Sequence, residues 1–430
     1  MSDTLLSVED LRTHIHTDDG LVRAVDGISF DIDRGETVCL VGESGSGKTM
    51  TCDTLSGLVE TPPAEVTGSV RFDGEELVPF DETDFRSIRG AEIGYAFQNA
   101  RSALDPVYTV GDQIIEAIRL HRDVSTTDAR ERAIDLLETV GISPADSRVD
   151  EYPHQFSDGM CQRVALAIAL AAEPALLIAD EPTSALDVTI QARIIDLIDD
   201  LRADRDLALL LVTHDLRVVA ALADRVVVMY AGTVVERGPI EDVFANPAHP
   251  YTQALFESFT GDGDPDRESL ARDALPTEGC RFHPRCPAII PPEEVALPRE
   301  HWQGVVAFRF RLEREWADAA ELRASLLREL PPAERTDSDL DATVRAAFDL
   351  PDEVADTDVE SALGTAIGAI AADDIDEARE ALADVATSVC ERESPSPDAA
   401  ETKHPVSCHR YDPSLPGNSE TGIDLGPSEE

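Results

Sequence analysis

The sequence predicts an α/β domain with a largely parallel sheet, followed by a C-terminal region rich in helices. Short β-branched runs alternate with helical stretches over residues 5–259, which is typical of a parallel sheet covered by helices. A glycine-rich loop joins one predicted strand to the helix after it. Beyond residue 290, apolar residues recur at helical spacing instead. We therefore expect the 430-residue chain to fold as two or three domains.

Five segments of the first region support the α/β prediction. Listed in order, they are a buried strand at 37–41, a helix at 48–58, a helix-rich stretch at 110–140, and apolar strands at 175–179 and 208–212. Further along, Asp-Gly and Pro residues at 261–265 predict a flexible linker. Amphipathic helical patterns follow at 316–330 and 359–389, and the last twenty residues predict a disordered tail.

The charge of the chain excludes several classes of protein. The formal net charge is −50, and only two of the 36 basic residues are lysines, Lys48 and Lys403. Such acidity repels phosphate backbones and anionic lipid, so we expect no nucleic-acid partner. An apolar fraction of 42% fits a packed core and excludes a wholly disordered chain. The acidity therefore belongs to the surface and predicts a salt-accumulating cytoplasm, where salt screens the self-repulsion.

Membrane and secretion signals are not evident in the sequence. The longest apolar run, residues 164–172, is much shorter than the roughly 18 residues that a membrane span needs. The first ten residues lack the basic and apolar regions of a secretory signal, so we expect a protein inside the cell. Seven cysteines in a large intracellular chain argue against a disulfide framework and leave metal binding open.

Residues 42–49 fit the P-loop pattern, and they lie between a predicted strand and a predicted helix. Glycines in such a loop let backbone N–H groups turn toward phosphate oxygens at a helix N-terminus. Lys48 can then reach the β- and γ-phosphates, and the Thr49 hydroxyl can ligate Mg²⁺. The predicted ATP-binding residues here are Gly42, Glu43, Ser44, Gly45, Ser46, Gly47, Lys48, Thr49 and Met50. Lys48 is also the only lysine among the first 402 residues.

A second nucleotide-binding motif is an apolar strand near residue 176 that ends in two carboxylates, Asp180 and Glu181. This position places Asp180 beside Mg²⁺ and leaves Glu181 able to polarise a water for attack on the γ-phosphate. The two motifs together predict a site that hydrolyses ATP with Mg²⁺.

Four further segments occur in a recognisable order: Gln98 in AFQN, FSDGM at 156–160, ALD at 185–187 and THD at 213–215. In this order, residues 5–259 resemble the nucleotide-binding domain of ABC transporters. Longer stretches such as YPHQFSDGMCQRVALAIAL and ADEPTSALDVTIQARI resemble the D-type ATPase subunit of oligopeptide and dipeptide importers, a group that includes nickel and some sugar systems. The resemblance implies a P-loop NTPase with a RecA-like core, a helical subdomain and an antiparallel β subdomain.

The resemblance also implies roles for individual residues. Gln98 would contact Mg²⁺ and the attacking water, and would report occupancy of the site to the membrane subunits. His214 would hold the γ-phosphate and the water beside Glu181, so that these three residues form the predicted catalytic group. Asp187 would couple two ATP sites across a dimer of ATPase domains.

The signature motif would act across that dimer. Ser157 and Gly159 would approach the γ-phosphate of the partner's ATP in a head-to-tail sandwich, and Asp158 between them is also among the predicted ATP-binding residues. The family has glycine where this chain has Asp158. A carboxylate about 4 Å from a phosphate oxygen would cost roughly 1 to 4 kcal/mol between water-like and surface-like dielectric. Either Asp158 weakens one composite site, or it points to solvent and is harmless.

Adenine binding is a second departure from the family. Residues 13–16 read THIH where the family usually offers an aromatic ring, so His16 or Ile15 is the candidate for a weaker contact with the base.

Cys280 and Cys286 resemble the start of the C-terminal extension of the peptide-importer ATPases, and the match resumes at Cys390 and Cys408. Residues 288–389 would then be an insertion between the second and third cysteines. The resemblance implies a [4Fe–4S] cluster on the four cysteines, with zinc as the alternative and free structural thiols as a third interpretation.

The predicted domains follow from these matches. They are an ABC ATPase domain at 1–260 with its helical subdomain at about 105–172, a linker and the start of the extension at 261–290, an acidic, mainly helical insertion at 291–389, and the end of the extension with the tail at 390–430.

The expected function is the ATP-hydrolysing subunit of an importer at the cytoplasmic face of the cell membrane. Its implied partners are a homologous F-type ATPase subunit, two transmembrane permeases and, indirectly, an extracellular solute-binding protein. The alternatives are a soluble ABC ATPase acting on ribosomes or DNA, and a non-catalytic ATP-binding scaffold. The single P-loop and the charge of −50 argue against the first, and Glu181 with His214 argues against the second.

Overall fold

The structure is a computed structural model of the chain in two compact units, Met1–Asn246 and Pro247–Glu430. It describes residues 3–18, 20–78, 82–182, 191, 195, 198–199, 202, 206–260, 276–314, 316, 318–329, 340–383, 385–397 and 402–415. The predicted linker at 261–265 and most of the predicted tail lie outside these residues. Within the described part, none of the helices has the length and apolar character needed to cross a bilayer.

The N-terminal unit contains ten described strands. They are β1 (Thr4–Thr17), β2 (Gly20–Asp33), β3 (Thr37–Val41), β4 (Ala64–Phe72), β5 (Glu75–Glu76), β6 (Ile93–Ala96), β7 (Leu176–Asp180), β8 (Ala208–Val212), β9 (Arg225–Tyr230) and β10 (Thr233–Pro239). The predicted strands at 37–41 and 208–212 are confirmed, and the one predicted at 175–179 lies one residue later.

These strands form two sheets. The smaller sheet is antiparallel, in the order β2-β1-β4-β5, and the larger has the order β10-β9-β3-β8-β7-β6. In the larger sheet only β10 pairs antiparallel, and the other neighbours are parallel. Every residue of β3, β7 and β8 is buried, as expected for strands covered on both faces. The predicted parallel sheet is confirmed, and the loops after its strands meet at one edge.

Nine described helices complete this unit. They are α1 (Lys48–Leu55), α2 (Glu82–Ile88), α3 (Ala100–Ala103), α4 (Val110–His121), α5 (Thr126–Thr139), α6 (Ala145–Arg148), α7 (Asp158–Ala169), α8 (Leu216–Leu222) and α9 (Ile240–Ala245). The helix predicted at 48–58 ends earlier because Gly57 adopts a left-handed conformation (φ +61°). The helix-rich stretch predicted at 110–140 is α4 and α5.

Three hydroxyl side chains fix where the helices of the 105–172 region begin. Thr109, Ser125 and Ser157 precede α4, α5 and α7, and each accepts a hydrogen bond from the backbone N–H three residues on, at 3.1, 3.2 and 3.3 Å. Such N-caps contribute about 1 kcal/mol each. The start of α7, which carries the signature motif, is therefore set by its own serine.

An apolar core of described residues joins the two sheets. Leu11 and Ile28 from the antiparallel sheet cluster with Leu40 and Leu210 from the parallel sheet and with Leu55 from α1, all fully or almost fully buried. Each such side chain stabilises the fold by roughly 1.5–3 kcal/mol. Because α1 contacts β1, β2 and β7, the helix that begins at Lys48 is held between the sheets.

The C-terminal unit is helical in its described part. Its helices are α10 (Pro250–Thr260), α11 (Arg299–Arg314), α12 (Ala319–Glu329), α13 (Leu340–Ala347), α14 (Thr357–Ala371), α15 (Ile375–Ala383) and α16 (Val389–Arg392). The pattern predicted at 316–330 is α12. The pattern predicted at 359–389 is divided among three helices, and α14 ends just before Asp373, which adopts a left-handed conformation (φ +62°).

Aromatic side chains and one ion pair form the centre of this unit. Trp302 and Phe308 of α11 are fully buried, and Phe308 contacts Phe348 with ring centroids 5.0 Å apart. Arg309, 5% exposed, donates to Glu391 and also to the carbonyl oxygen of Val385. This arginine joins α11 to α16, the short helix that contains Cys390.

Candidate functional site

The P-loop encloses the side chain of Lys48 at the start of α1. Its ammonium group donates to the carbonyl oxygens of Gly42 and Glu43, both at 2.8 Å, and to Ser46 Oγ at 3.3 Å. Burial lowers the pKa of Lys48, and the carboxylates of Glu181 and Asp180 oppose this shift. The lysine charge therefore faces the two carboxylates predicted to act with it.

Two glycines make this tight loop possible. Gly42 has φ +153°, and a Cβ placed there would lie 2.2 Å from the carbonyl oxygen of Met229. Gly47 has φ +103°, and its Cβ would lie 2.5 Å from the carbonyl oxygen of Ala24. Since both contacts are with backbone, neither position can take a side chain without moving a strand.

Asp180 ends β7 and lies beside Thr49, the threonine predicted to ligate Mg²⁺. The residue is 2% exposed, and Thr49 is its hydrogen-bond partner. Its second oxygen, Oδ1, is buried and has no hydrogen-bond partner. Burial raises the pKa of Asp180. A buried carboxylate oxygen without a partner, beside a threonine hydroxyl, fits the oxygen donors that Mg²⁺ prefers.

Glu181 is held between the two polar residues predicted to act with it. Gln98 Nε2 donates to Glu181 Oε2 at 2.8 Å, and His214 Nδ1 lies 3.1 Å from Glu181 Oε1. Gln98 follows β6, and His214 follows β8. Because β6 and β8 flank β7, the three side chains meet at one edge of the sheet. Both carboxylate oxygens of Glu181 are therefore oriented by named partners.

The signature residues lie at the start of α7. Ser157 is the N-cap residue, Asp158 is the first residue of the helix, and Gly159 follows it. Arg101 of α3 donates through Nε to Asp158 Oδ1 at 2.5 Å, and through Nη2 to the carbonyl oxygen of Phe156 at 2.9 Å. The structure thus places a counterion directly against Asp158.

Two further predicted contacts of the nucleotide involve Asp187 and the segment at residues 13–16. Asp187 lies outside the described residues. In the segment proposed for adenine, His14 Nε2 lies 2.9 Å from Asp26 Oδ1 within the sheet, whereas the side chain of His16 is 64% exposed. Of the two histidines, only His16 has a side chain largely open to solvent.

The chain matches known ATP-binding proteins over most of their length. Residues 25–184 match the family ABC transporter, residues 235–291 match the C-terminal region of oligopeptide/dipeptide transporters, and residues 299–403 match a domain of unknown function (DUF8228). The oligopeptide transport ATP-binding protein AppD of Bacillus subtilis (strain 168) is 46% identical over 291 residues, which are 66% of this chain and 89% of AppD. This chain belongs to the ATP-binding subunits of oligopeptide and dipeptide ABC transporters.

Other members of this ABC family agree. The dipeptide transport ATP-binding protein DppD of Escherichia coli (strain K12) is 46% identical over 292 residues, 66% of this chain and 88% of DppD. Among solved structures, the dimeric ATP-binding cassette MJ0796 in a post-hydrolysis state bound to ADP and Pi matches with a TM-score of 0.51 and 26% identity. The match covers 55% of this chain and 98% of MJ0796. The predicted ABC ATPase fold and ATP hydrolysis are confirmed.

Two of the four cysteines of this ABC subunit are joined through their backbones. The backbone N–H of Cys280 donates to the carbonyl oxygen of Cys390 at 2.8 Å. Burial raises the pKa of the Cys280 thiol, and Cys408 and Cys390 add to the shift. Cys286 is affected in the same way by the other three. Over the ranges that the structure describes, no group of three or more His, Cys, Asp or Glu side chains is arranged to hold a metal. The thiols therefore affect one another's pKa, but the described side chains do not form a metal-binding arrangement.

Sequence reasoning missed Arg101 as a residue of this site. Arg101 is 57 positions from Asp158 along the chain, and nothing in the local pattern of α3 links the two. The departure of Asp158 from the family pattern was the available signal, because an aspartate in a phosphate site calls for a nearby cation.

Proposed function

We propose that this ATPase energises the import of peptides or a related small solute across the cell membrane. The observation that carries the proposal is the convergence of Gln98, Glu181 and His214 beside the P-loop lysine. This arrangement supplies a general base with two orienting partners, which a non-catalytic ATP-binding scaffold would not need. The relatives named above carry oligopeptide and dipeptide transport in their names.

In this proposal, different residues of the chain bind the phosphates, hold Mg²⁺ and activate the attacking water. Lys48 and the backbone N–H groups of residues 42–50 bind the phosphates, and Thr49, Gln98 and Asp180 would hold Mg²⁺, which neutralises phosphate charge when bound. Glu181 orients and polarises the attacking water, and His214 holds that water and the γ-phosphate. Ser157, Asp158, Gly159 and Asp187 act across a dimer on the partner's nucleotide.

We also propose that the partners are two transmembrane permeases and a homologous F-type ATPase subunit, with an extracellular solute-binding protein delivering the substrate. Exposed apolar side chains between residues 97 and 108 support a docking face for the permeases: Phe97 is 40% exposed, Val107 70% and Tyr108 56%. Several exposed apolar side chains in one region are a common mark of an interaction site. The complex would place this subunit at the cytoplasmic face of the membrane.

A salty cytoplasm is the proposed setting for this acidic surface. The net charge of −50 and the near absence of lysine support it. At molar salt the Debye length is about 3 Å, so repulsion among surface carboxylates is largely screened. Unfolding measured against KCl concentration tests the proposal, because a chain equally stable at 0.1 and 2 M KCl would contradict it.

Cys280, Cys286, Cys390 and Cys408 are proposed to hold a [4Fe–4S] cluster, with zinc as the alternative. Their occurrence at the cysteine positions of the peptide-importer extension supports this, since four thiols suit either group. Metal analysis and visible absorption of anaerobically purified protein separate iron, zinc and neither. The proposed domain boundaries, at 260, 290 and 389, place the first two cysteines before the insertion and the other two after it.

Co-purification from membranes in high salt tests the proposed function as a whole. We expect two permeases and a second ATPase subunit to accompany the full chain, and the complex to hydrolyse ATP faster when peptide and solute-binding protein are added. If the chain instead co-purified with ribosomes or DNA and without permeases, that result would support a soluble ABC ATPase and contradict the import proposal.

A further inference from the structure

Asp158 places a negative charge where a phosphate is expected to approach. It is the first residue of α7, and its side chain is 69% exposed. The N–H groups at a helix start attract anions, and a carboxylate at that position competes with a phosphate for them. The chain therefore needs a way to bring this helix start to a nucleotide despite the carboxylate.

Arg101 supplies the missing positive charge. Its guanidinium contacts Asp158 Oδ1 at 2.5 Å and the carbonyl oxygen of Phe156 at 2.9 Å, so it is held at both the carboxylate and the backbone before α7. Arginine presents several N–H donors in a fixed plane and keeps its charge at any physiological pH. The guanidinium of Arg101 has several N–H groups, so it can donate to a phosphate oxygen while it remains bound to Asp158.

The same face of α7 has a second bond to the segment around Gln98. Gln162, one helical turn after Asp158, donates from Nε2 to the carbonyl oxygen of Phe97 at 3.2 Å. Phe97 and Arg101 lie on either side of Gln98, so α7 is joined to this segment at two points. Arg101 is thus placed to link the signature helix to the segment that contains Gln98.

We infer that Arg101 is a positioning residue for ATP hydrolysis, which neutralises Asp158 so that the start of α7 can approach the phosphates bound by the partner ATPase subunit. The inference rests on the proposed head-to-tail dimer and adds to it a residue of this chain. Two consequences follow. Arg101 matters only while Asp158 is present, and its importance falls as salt screens the exposed carboxylate.

The test measures ATP hydrolysis by the full chain in its purified membrane complex. The Arg101→Ala substitution is made both in the parent chain and in the Asp158→Gly variant. In the parent, Arg101→Ala is expected to lower kcat/KM for ATP by about tenfold at the lowest salt that keeps the complex folded. In an Asp158→Gly background the same change is expected to alter kcat/KM by less than about twofold, because no carboxylate remains to be neutralised. Arg101→Lys, which keeps the charge, is expected to retain most of the parent activity.

Two controls separate this role from a structural one. Arg130→Ala removes a similarly exposed arginine that pairs with Asp150 at 2.7 Å and not with a signature residue, and is expected to leave hydrolysis unchanged. Melting curves show whether each variant is folded. A loss of equal size in both backgrounds would mean that Arg101 acts only through the Phe156 carbonyl, and would overturn the inference, as would no loss in either. A complex that hydrolyses ATP without transporting peptide would contradict the proposed function instead, and this measurement would still stand.

Discussion

Glu181 and His214 face each other at 3.1 Å, at the ends of two adjacent parallel strands. Gln98 occupies the other oxygen of the same carboxylate at 2.8 Å. A carboxylate oriented from both sides is suited to hold one water in line with a phosphate.

Glu181→Gln should lower ATP turnover by about 10²–10⁴-fold while ATP binding is retained. The amide keeps the size and much of the hydrogen bonding of the glutamate, but it cannot accept a proton from water. Single-turnover hydrolysis and nucleotide binding measured side by side check this. Glu131→Gln, on the exposed face of α5, is the matched control. A Glu181→Gln variant that hydrolyses ATP at the parent rate would contradict the role of Glu181.

Lys48→Arg should lower ATP hydrolysis by at least about 100-fold although the charge is kept. The ammonium is enclosed by the Gly42 and Glu43 carbonyl groups, and the planar guanidinium has no room there. Lys403→Arg is the natural control, since it changes the only other lysine, which is exposed. Equal activity of the two variants would show that the P-loop does not need a compact cation.

Asp180→Asn should raise the melting temperature of the nucleotide-free protein by about 2–4 °C at neutral pH. Burial raises the pKa of Asp180, so its stabilising contribution is complete below the unfolded-state pKa and is lost as pH rises through the higher folded-state value. At neutral pH, above its ordinary pKa, the buried carboxyl group therefore costs stability when no Mg²⁺ is bound.

The same substitution should reduce the further rise in melting temperature that Mg²⁺ and ATP give the parent, because the proposed ligation of Mg²⁺ by the Asp180 carboxylate would be lost. Asp150→Asn is the control of opposite sign, since its pairing with Arg130 lowers the pKa of Asp150. Stabilisation of the Asp180→Asn variant by Mg²⁺ to the same extent as the parent would argue against Asp180 as a ligand.

Arg309→Ala should lower the free energy of unfolding of the C-terminal unit by about 3–5 kcal/mol, because it leaves Glu391 as a buried charge without its partner. The only two tryptophans of the chain, Trp302 and Trp316, are both buried in this unit, so their fluorescence reports its unfolding. Arg314→Ala, at the exposed end of the same helix, should change the free energy by less than about 0.5 kcal/mol.

A double variant distinguishes the ion pair from a general packing effect. Replacing Arg309 with Met and Glu391 with Leu removes both charges together, and it should recover much of the lost stability. If the double variant is no more stable than Arg309→Ala, the arginine acts mainly through Val385 and Trp302, which it also contacts.

The sequence predicted best those residues whose positions follow from strand order. Asp180 ends an apolar strand, and Glu181 and His214 come directly after the ends of two such strands. Parallel strands bring their ends to one edge, so the meeting of these residues could be expected from pattern alone. Arg101 could not be predicted, because its partner Asp158 is distant in sequence and the contact depends on how α3 packs against α7.

Helix boundaries in the C-terminal unit show the same limit. The apolar spacing over 359–389 continues through Asp373. The left-handed conformation of that residue separates α14 from α15. A periodic pattern shows which face of a segment is apolar. Where the chain turns depends on the tertiary contacts of the unit, which the pattern does not contain.

Glu181 also has an unusual backbone. Its φ is +47°, in the left-handed region that side-chain-bearing residues seldom adopt, and its N–H is fixed to the carbonyl oxygen of Val212. A glycine would occupy this position with less strain, at about 1 kcal/mol lower cost. Selection for heat resistance alone would therefore favour losing this glutamate, and only selection for turnover would keep it. Thermostable variants evolved without an activity screen should accumulate changes at residue 181.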